Sequence, residues 1–114
     1  MGIFIKRVYE PVGEDGVRIL VDRLWPRGLK KEELHGLWFR EISPSAALRK
    51  WFNHDPDKWP EFKNLYFAEL DGHPQEVEKI ITLLREGSVT LLYASRERER
   101  NQAVALRQYL EMKG

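Results

Sequence analysis

The sequence contains no cysteine. That excludes disulfides, thiolate metal sites and cysteine nucleophiles, and it fits a cytoplasmic setting. Long apolar runs are missing too. No stretch approaches the roughly 20 residues of a membrane-spanning helix, and the N-terminal Ile3-Phe4-Ile5 run is too short for a secretory signal core. A dominant charge of one sign is also lacking. Nineteen Lys and Arg stand against 18 Asp and Glu, leaving +1. Such a balance argues against a protein that simply coats nucleic acid, although a local basic patch remains open. The three histidines, His35, His54 and His73, show no metal-ligand spacing, so no metal site is expected. Neither Gly-x-Gly-x-x-Gly nor Gly-x-x-x-x-Gly-Lys-Ser/Thr occurs, so no nucleotide cofactor is signalled and the cofactor is left unknown.

What is present reads as one folded unit. A chain of 114 residues, 42% apolar and 32% charged, is long enough for one core and too short for two, so residues 1–114 are read as a single domain. Residues 3–8 alternate as a first strand, and Gly13-Glu14-Asp15-Gly16 is a turn. Residues 17–22 form a second strand, whose Ile19-Leu20-Val21 core suits a sheet covered on both faces. Whether these two strands pair as a hairpin or lie apart is open. Residues 30–34 suggest a short helix or turn, and 37–42 an apolar segment of mixed character.

Ser43-Pro44 predicts a helix start, with Ser43 as cap, running to about Phe52 and broken by Asn53-His54-Asp55-Pro56. Trp59, Phe62, Tyr66 and Leu70 recur at helical spacing over 57–70. Val77, Ile80, Ile81 and Leu84 do the same over 74–86, where Gly87 stops the helix. Residues 88–94 are the third and most apolar strand, 95–100 a charged loop, and 101–112 a closing helix with Ala105, Leu106 and Leu110 inward. Strands alternating with helices predict an α/β fold: a single compact domain with a small, partly parallel sheet flanked by helices.

The densest chemistry lies where the second strand ends, in Asp22-Arg23-Leu24-Trp25-Pro26-Arg27-Gly28. In parallel sheets ligands gather beyond the carboxyl ends of strands. The 88–94 strand ends similarly, in Ser95 and Arg96, ahead of a helix whose first amides favour anions. Arginine suits an oxyanion because its planar fork binds two oxygens at once. These residues therefore predict an anion pocket, with Arg7, Arg23, Trp25, Arg27, Ser95 and Arg96 as ligand-binding candidates. Arg96, Arg98 and Arg100 alternate with Glu97 and Glu99, so a self-paired solvated loop is an equal reading there. Asp22 is a candidate general base, which leaves turnover open, yet its commoner role would be to pin Arg23 or a loop amide. Ser95 has no histidine placed in sequence to activate it and reads better as a hydroxyl that holds an anion. His54-Asp55 reads as a turn and cap before it reads as an acid–base pair.

Lys6-Arg7-Val8-Tyr9 and Arg18-Ile19-Leu20-Val21-Asp22-Arg23-Leu24-Trp25-Pro26-Arg27-Gly28 resemble the YeaO-like family of small bacterial and archaeal proteins. Glu41-Ile42-Ser43-Pro44-Ser45, Leu48-Arg49, Trp51-Phe52, His54-Asp55 and Thr90-Leu91-Leu92-Tyr93-Ala94 extend the likeness over nearly the whole chain. The resemblance implies a compact α/β fold and no established activity, substrate or cofactor. More distant relatives carry cysteines after the last strand, where this chain has Ala94-Ser95, so thiol chemistry does not carry over. The expected partner is a phosphorylated or carboxylated small molecule. The alternative is a nucleic-acid or protein interaction module using Arg23, Arg27, Lys30, Lys31 and exposed tryptophans. No membrane partner is expected, and the oligomeric state is not legible.

Overall fold

The computed structural model describes residues 2–113. Four strands, β1 (Ile3–Arg7), β2 (Val17–Leu20), β3 (Leu37–Trp38) and β4 (Val89–Tyr93), form one sheet in the order β1-β4-β2-β3. Every pairing is parallel. β4 is the centre: Leu91 sits beside Ile5 of β1 and Ile19 of β2. All five β4 residues are buried, as its apolar composition requires of a strand covered on both faces.

β1 and β2 therefore do not form a hairpin. Residues 8–16 carry the chain back beneath β4, a return that extended chain at about 3.3 Å per residue easily spans. Two devices hold this link. The Thr90 hydroxyl donates to the Asp15 carbonyl at 2.6 Å. The Asp15 carboxylate accepts from Lys6 and from Arg18, an arginine only 3% exposed. Burial works against this carboxylate, but the Lys6 and Arg18 bonds prevail and hold it below the ordinary Asp value. Gly16 is required at the entry to β2. Its φ is +65°, and a Cβ there would collide with the Ser88 carbonyl oxygen.

The two faces of the sheet are covered differently. Ile3, Ile19, Val21, Leu91 and Tyr93 face four helices: α1 (Ala46–Phe52), α2 (Trp59–Asp71), α3 (Pro74–Glu86) and α4 (Gln102–Lys113). Phe62, Tyr66 and Leu70 of α2 and Val77, Ile80 and Leu84 of α3 are buried there at the expected helical spacing. Ile81, expected inward, is half-buried at the margin of the core. On the opposite face Leu20, Leu92 and Val8 are covered by the loop over 22–36, through Trp25, Leu29 and Leu34. A 3-10 turn at Lys31–Glu33 lies in that loop.

Two local expectations are corrected. β3, part of the mixed 37–42 segment, is a strand, paired through Ile19 and Leu20 to Leu37 and Trp38. The cap of α1 is Ser45, not Ser43. Ser45 accepts from the Leu48 amide, while its own amide and hydroxyl donate to Glu69 of α2 at 2.9 and 2.6 Å. Ser43 instead closes a 3-10 turn at Arg40–Ile42, its hydroxyl donating to the Arg40 carbonyl. A carboxylate from another helix thus selects between two serines that look alike in sequence.

Candidate anion site

β2 and β4 are parallel neighbours, so their carboxyl ends lie side by side. From there the chain departs to opposite faces. After β2 it enters the loop that covers Leu20 and Leu92; after β4 it enters α4 on the helical face. Divergence of this kind opens a crevice between strand ends. Here the crevice holds two adjoining chambers with shared walls at Pro44, Arg49, His54 and Gln102.

The inner chamber, about 150 Å³, is lined by Asp22, Arg23 and Ser95 from the strand ends, with Arg49, His54 and Gln102 across from them. Asp22 is tied on both sides. One carboxylate oxygen accepts from the Ala94 amide at 3.0 Å and the other from the Gln102 side chain. The Trp38 indole donates to its carbonyl at 2.7 Å. Burial pushes the Asp22 carboxyl up to about 6, against the opposing pull of the Ala94 amide, the Arg49 charge and Gln102. Arg23 reaches the Pro44 carbonyl at 3.1 Å and the Ser43 carbonyl at 3.5 Å, anchoring the segment before α1 while lining the chamber.

The outer chamber is about 650 Å³. Phe52 and Phe62 line it, their rings stacked at 4.4 Å, with Pro44, Ala46 and Ala47. Arg49, Lys50 and Arg100 add positive charge, and no carboxylate lines this chamber. Arg100 also pairs with Glu97 at 3.4 Å.

Of the residues singled out in sequence, Asp22, Arg23 and Ser95 converge on the crevice. The other four lie outside its walls. Arg7 donates through Nε to the carbonyls of Ala94 and Ser95 at 3.2 and 3.0 Å, so it braces the loop after β4 from behind. Its guanidinium also lies over the Tyr9 ring. Trp25 packs edge-on against Trp38 at 5.3 Å and donates its indole N–H to the Leu29 carbonyl. That bond closes the 25–29 turn over the other face of the sheet, and the Arg27 carbonyl there accepts from the Tyr9 hydroxyl at 2.6 Å. Arg27 and Arg96 are exposed.

Arg49, Lys50 and Gln102 were missed because each sits in a helix with no local mark of function. His54 and Asp55 separate in role. Asp55 caps a 3-10 turn at Pro56–Lys58, accepting from the Asp57 amide, whereas His54 borders both chambers. Among the described residues no group of three or more His, Asp or Glu side chains could hold a metal ion, and no helix is long and apolar enough to cross a membrane.

Residues 2–113 match the family described as the inactive DUF488-N3 subclade. The chain belongs to this family. Within the wider YeaO-like group it is 43% identical over 112 residues to the uncharacterized protein YeaO of Escherichia coli, covering 96% of this chain and 97% of that protein. An uncharacterized protein of Mycobacterium tuberculosis (strain H37Rv) is 37% identical over 108 residues, covering 93% and 91%. One from Mycobacterium bovis shows the same values. No solved structure matches the chain significantly.

Proposed function

We propose that this DUF488-N3 protein binds an anionic small molecule, phosphorylated or carboxylated, in the crevice at the ends of β2 and β4. The observation that carries the reading is the charge of the walls: Arg23, Arg49, Lys50 and Arg100 surround the two chambers, and Asp22 is the lone carboxylate. An oxyanion beside several guanidinium groups gains charge-assisted hydrogen bonds, the strong kind. Partial enclosure strengthens them relative to bulk water.

The reading is one of binding without turnover. Asp22 already serves the Ala94 amide and Gln102, and Ser95 has its hydroxyl directed to the Glu97 carbonyl at 3.4 Å. No nucleophile in the crevice is paired with a base. The description of the family as inactive agrees with this.

Calorimetric titration with sulfate and inorganic phosphate tests the reading. Arg49→Ala should weaken binding by about 1.5–3 kcal/mol, the worth of a hydrogen bond to a charged group. Arg49→Lys should restore only part, because lysine keeps the charge without the fork. Equal affinity in all three proteins would remove Arg49 from the site, and absence of any anion binding would end the proposal.

A further inference from the structure

We infer that the two chambers take one ligand between them: a compact oxyanion group in the inner chamber, joined directly to a small apolar body in the outer one. This rests on the anion-site reading above and narrows its ligand class. The two chambers have different chemistry and adjoin without a partition, since Arg49, His54 and Gln102 border both. The inner one, at about 150 Å³, has room for a headgroup and little more. For scale, each water in the liquid occupies about 30 Å³. Its donors are the Arg49 guanidinium and the N–H groups that Arg23 and Gln102 keep beyond their bonds to Pro44, Ser43 and Asp22, the one carboxylate in its wall.

The outer chamber is more apolar, although Arg49, Lys50 and Arg100 stand in its wall. Pro44, Ala46 and Ala47 lie beside Phe52 and Phe62, two buried rings that cluster with Trp59 at centroid distances of 4.4, 5.6 and 5.9 Å. An apolar group in the chamber would rest on the exposed Ala46 and Ala47 and on the margins of these rings. A free inorganic ion in the inner chamber would leave the apolar part of this larger volume to water. A ligand carrying the apolar group removes apolar surface from water on both sides, which is favourable in proportion to the area covered. Arg49, on the boundary, reaches the headgroup of a ligand whose apolar body lies outside.

The test compares three probes on the full chain: inorganic phosphate, phenyl phosphate and phenol. Phenyl phosphate should bind at least about tenfold more tightly than inorganic phosphate, a step of roughly 1.4 kcal/mol, and phenol should bind more weakly than phenyl phosphate. Ala46→Gln, at an exposed position on the outer wall, should weaken phenyl phosphate and erase its preference over inorganic phosphate. Nuclear Overhauser contacts from the phenyl protons to the Phe52 and Phe62 rings are expected in the wild-type chain. Equal affinity for phosphate and phenyl phosphate overturns the two-chamber ligand and leaves the anion site standing. So does a preference that survives Ala46→Gln. Phenol binding as tightly as phenyl phosphate overturns both the two-chamber ligand and the anion site, because the phosphate would then contribute nothing. Failure of both phosphates to bind overturns the anion site itself.

Discussion

Asp22 carries the clearest consequence at the scale of single residues. Its folded-state pKa is raised from 3.8 to about 6 by burial. A raised carboxyl binds its proton more tightly in the folded chain than in the unfolded one. Its contribution to stability is therefore full below about pH 4 and is lost as pH rises through about 6. The loss is on the order of 3 kcal/mol at 1.36 kcal/mol per pH unit. Asp22→Asn keeps an acceptor for the Ala94 amide and offers Gln102 a donor after an amide flip, so it should fold and should lack this loss. Denaturant unfolding between pH 4 and 8 checks it; equal slopes in the two proteins would contradict the burial of this charge. The same neutralisation helps an anion. Sulfate, whose own charge is constant in this range, should bind more tightly at pH 5 than at pH 8, and Asp22→Asn should reduce the difference. Arg27 gives the contrasting case: exposed and outside the crevice, its replacement by alanine should leave folding within about 1 kcal/mol of wild type and sulfate affinity unchanged. The sequence marked Arg27 because it follows Arg23 at a strand end. It could not reveal that buried Pro26 and the Trp25–Leu29 bond turn the chain to the other face. Arg49 arrives from a separate helix, brought there by the packing of α1 on α2 and by the Arg23 bonds to Ser43 and Pro44 ahead of it.

Among the elements, those with a strong period were legible and those fixed by tertiary contacts were not. Phe62, Tyr66 and Leu70, then Val77, Ile80 and Leu84, disclose α2 and α3 because one face of each helix is truly apolar. β3 has only Leu37 and Trp38, both exposed at the sheet edge, so no alternation exists to read. Ser45 takes the cap from Ser43 because Glu69 waits on another helix. β4 announces itself by five buried residues in succession. Leu91→Ala, at the middle of that strand, should cost roughly 2–5 kcal/mol, as a core truncation that leaves a cavity does. A thermal melt unchanged from wild type would contradict its place between Ile5 and Ile19. Two glycines with positive φ separate conformational strain from collision. Gly28→Ala meets nothing within 4 Å, so it should cost only the left-handed backbone penalty of about 1–2 kcal/mol. Gly16→Ala adds a clash with the Ser88 carbonyl and should cost distinctly more in the same unfolding assay.

At the scale of the whole molecule, the near balance of charge becomes a separation in space. Some acidic side chains are spent away from the crevice, Asp15 on Lys6 and Arg18 and Glu69 on the α1 cap, while Glu97 pairs with Arg100 at its rim. Arg23, Arg49 and Lys50 against Asp22 still leave the crevice a positive excess in a chain of net charge +1. A single enclosed anion displaces few counterions, so its affinity should fall gently with salt. A nucleic-acid surface neutralising Z phosphates would instead show a log–log slope of roughly −0.7Z to −0.9Z. Titrating sulfate and a single-stranded oligonucleotide over the same salt range distinguishes the two readings. A steep slope with tight oligonucleotide binding would favour an extended contact surface over a pocket.

The central position of β4 also sets the order of assembly. β1 pairs with β4, across most of the chain, while β2 pairs with β4 and with the nearer two-residue β3. During synthesis β1 cannot pair until residues 89–93 exist, and β2 has only the short β3 beside it, whereas α2 and α3 can form from local contacts beforehand. The growing chain must therefore carry Ile3 and Ile5 without a strand partner until β4 is made. A nascent chain stopped before β4 should show helical signal without protected β1 amides, and should be the form most in need of a chaperone.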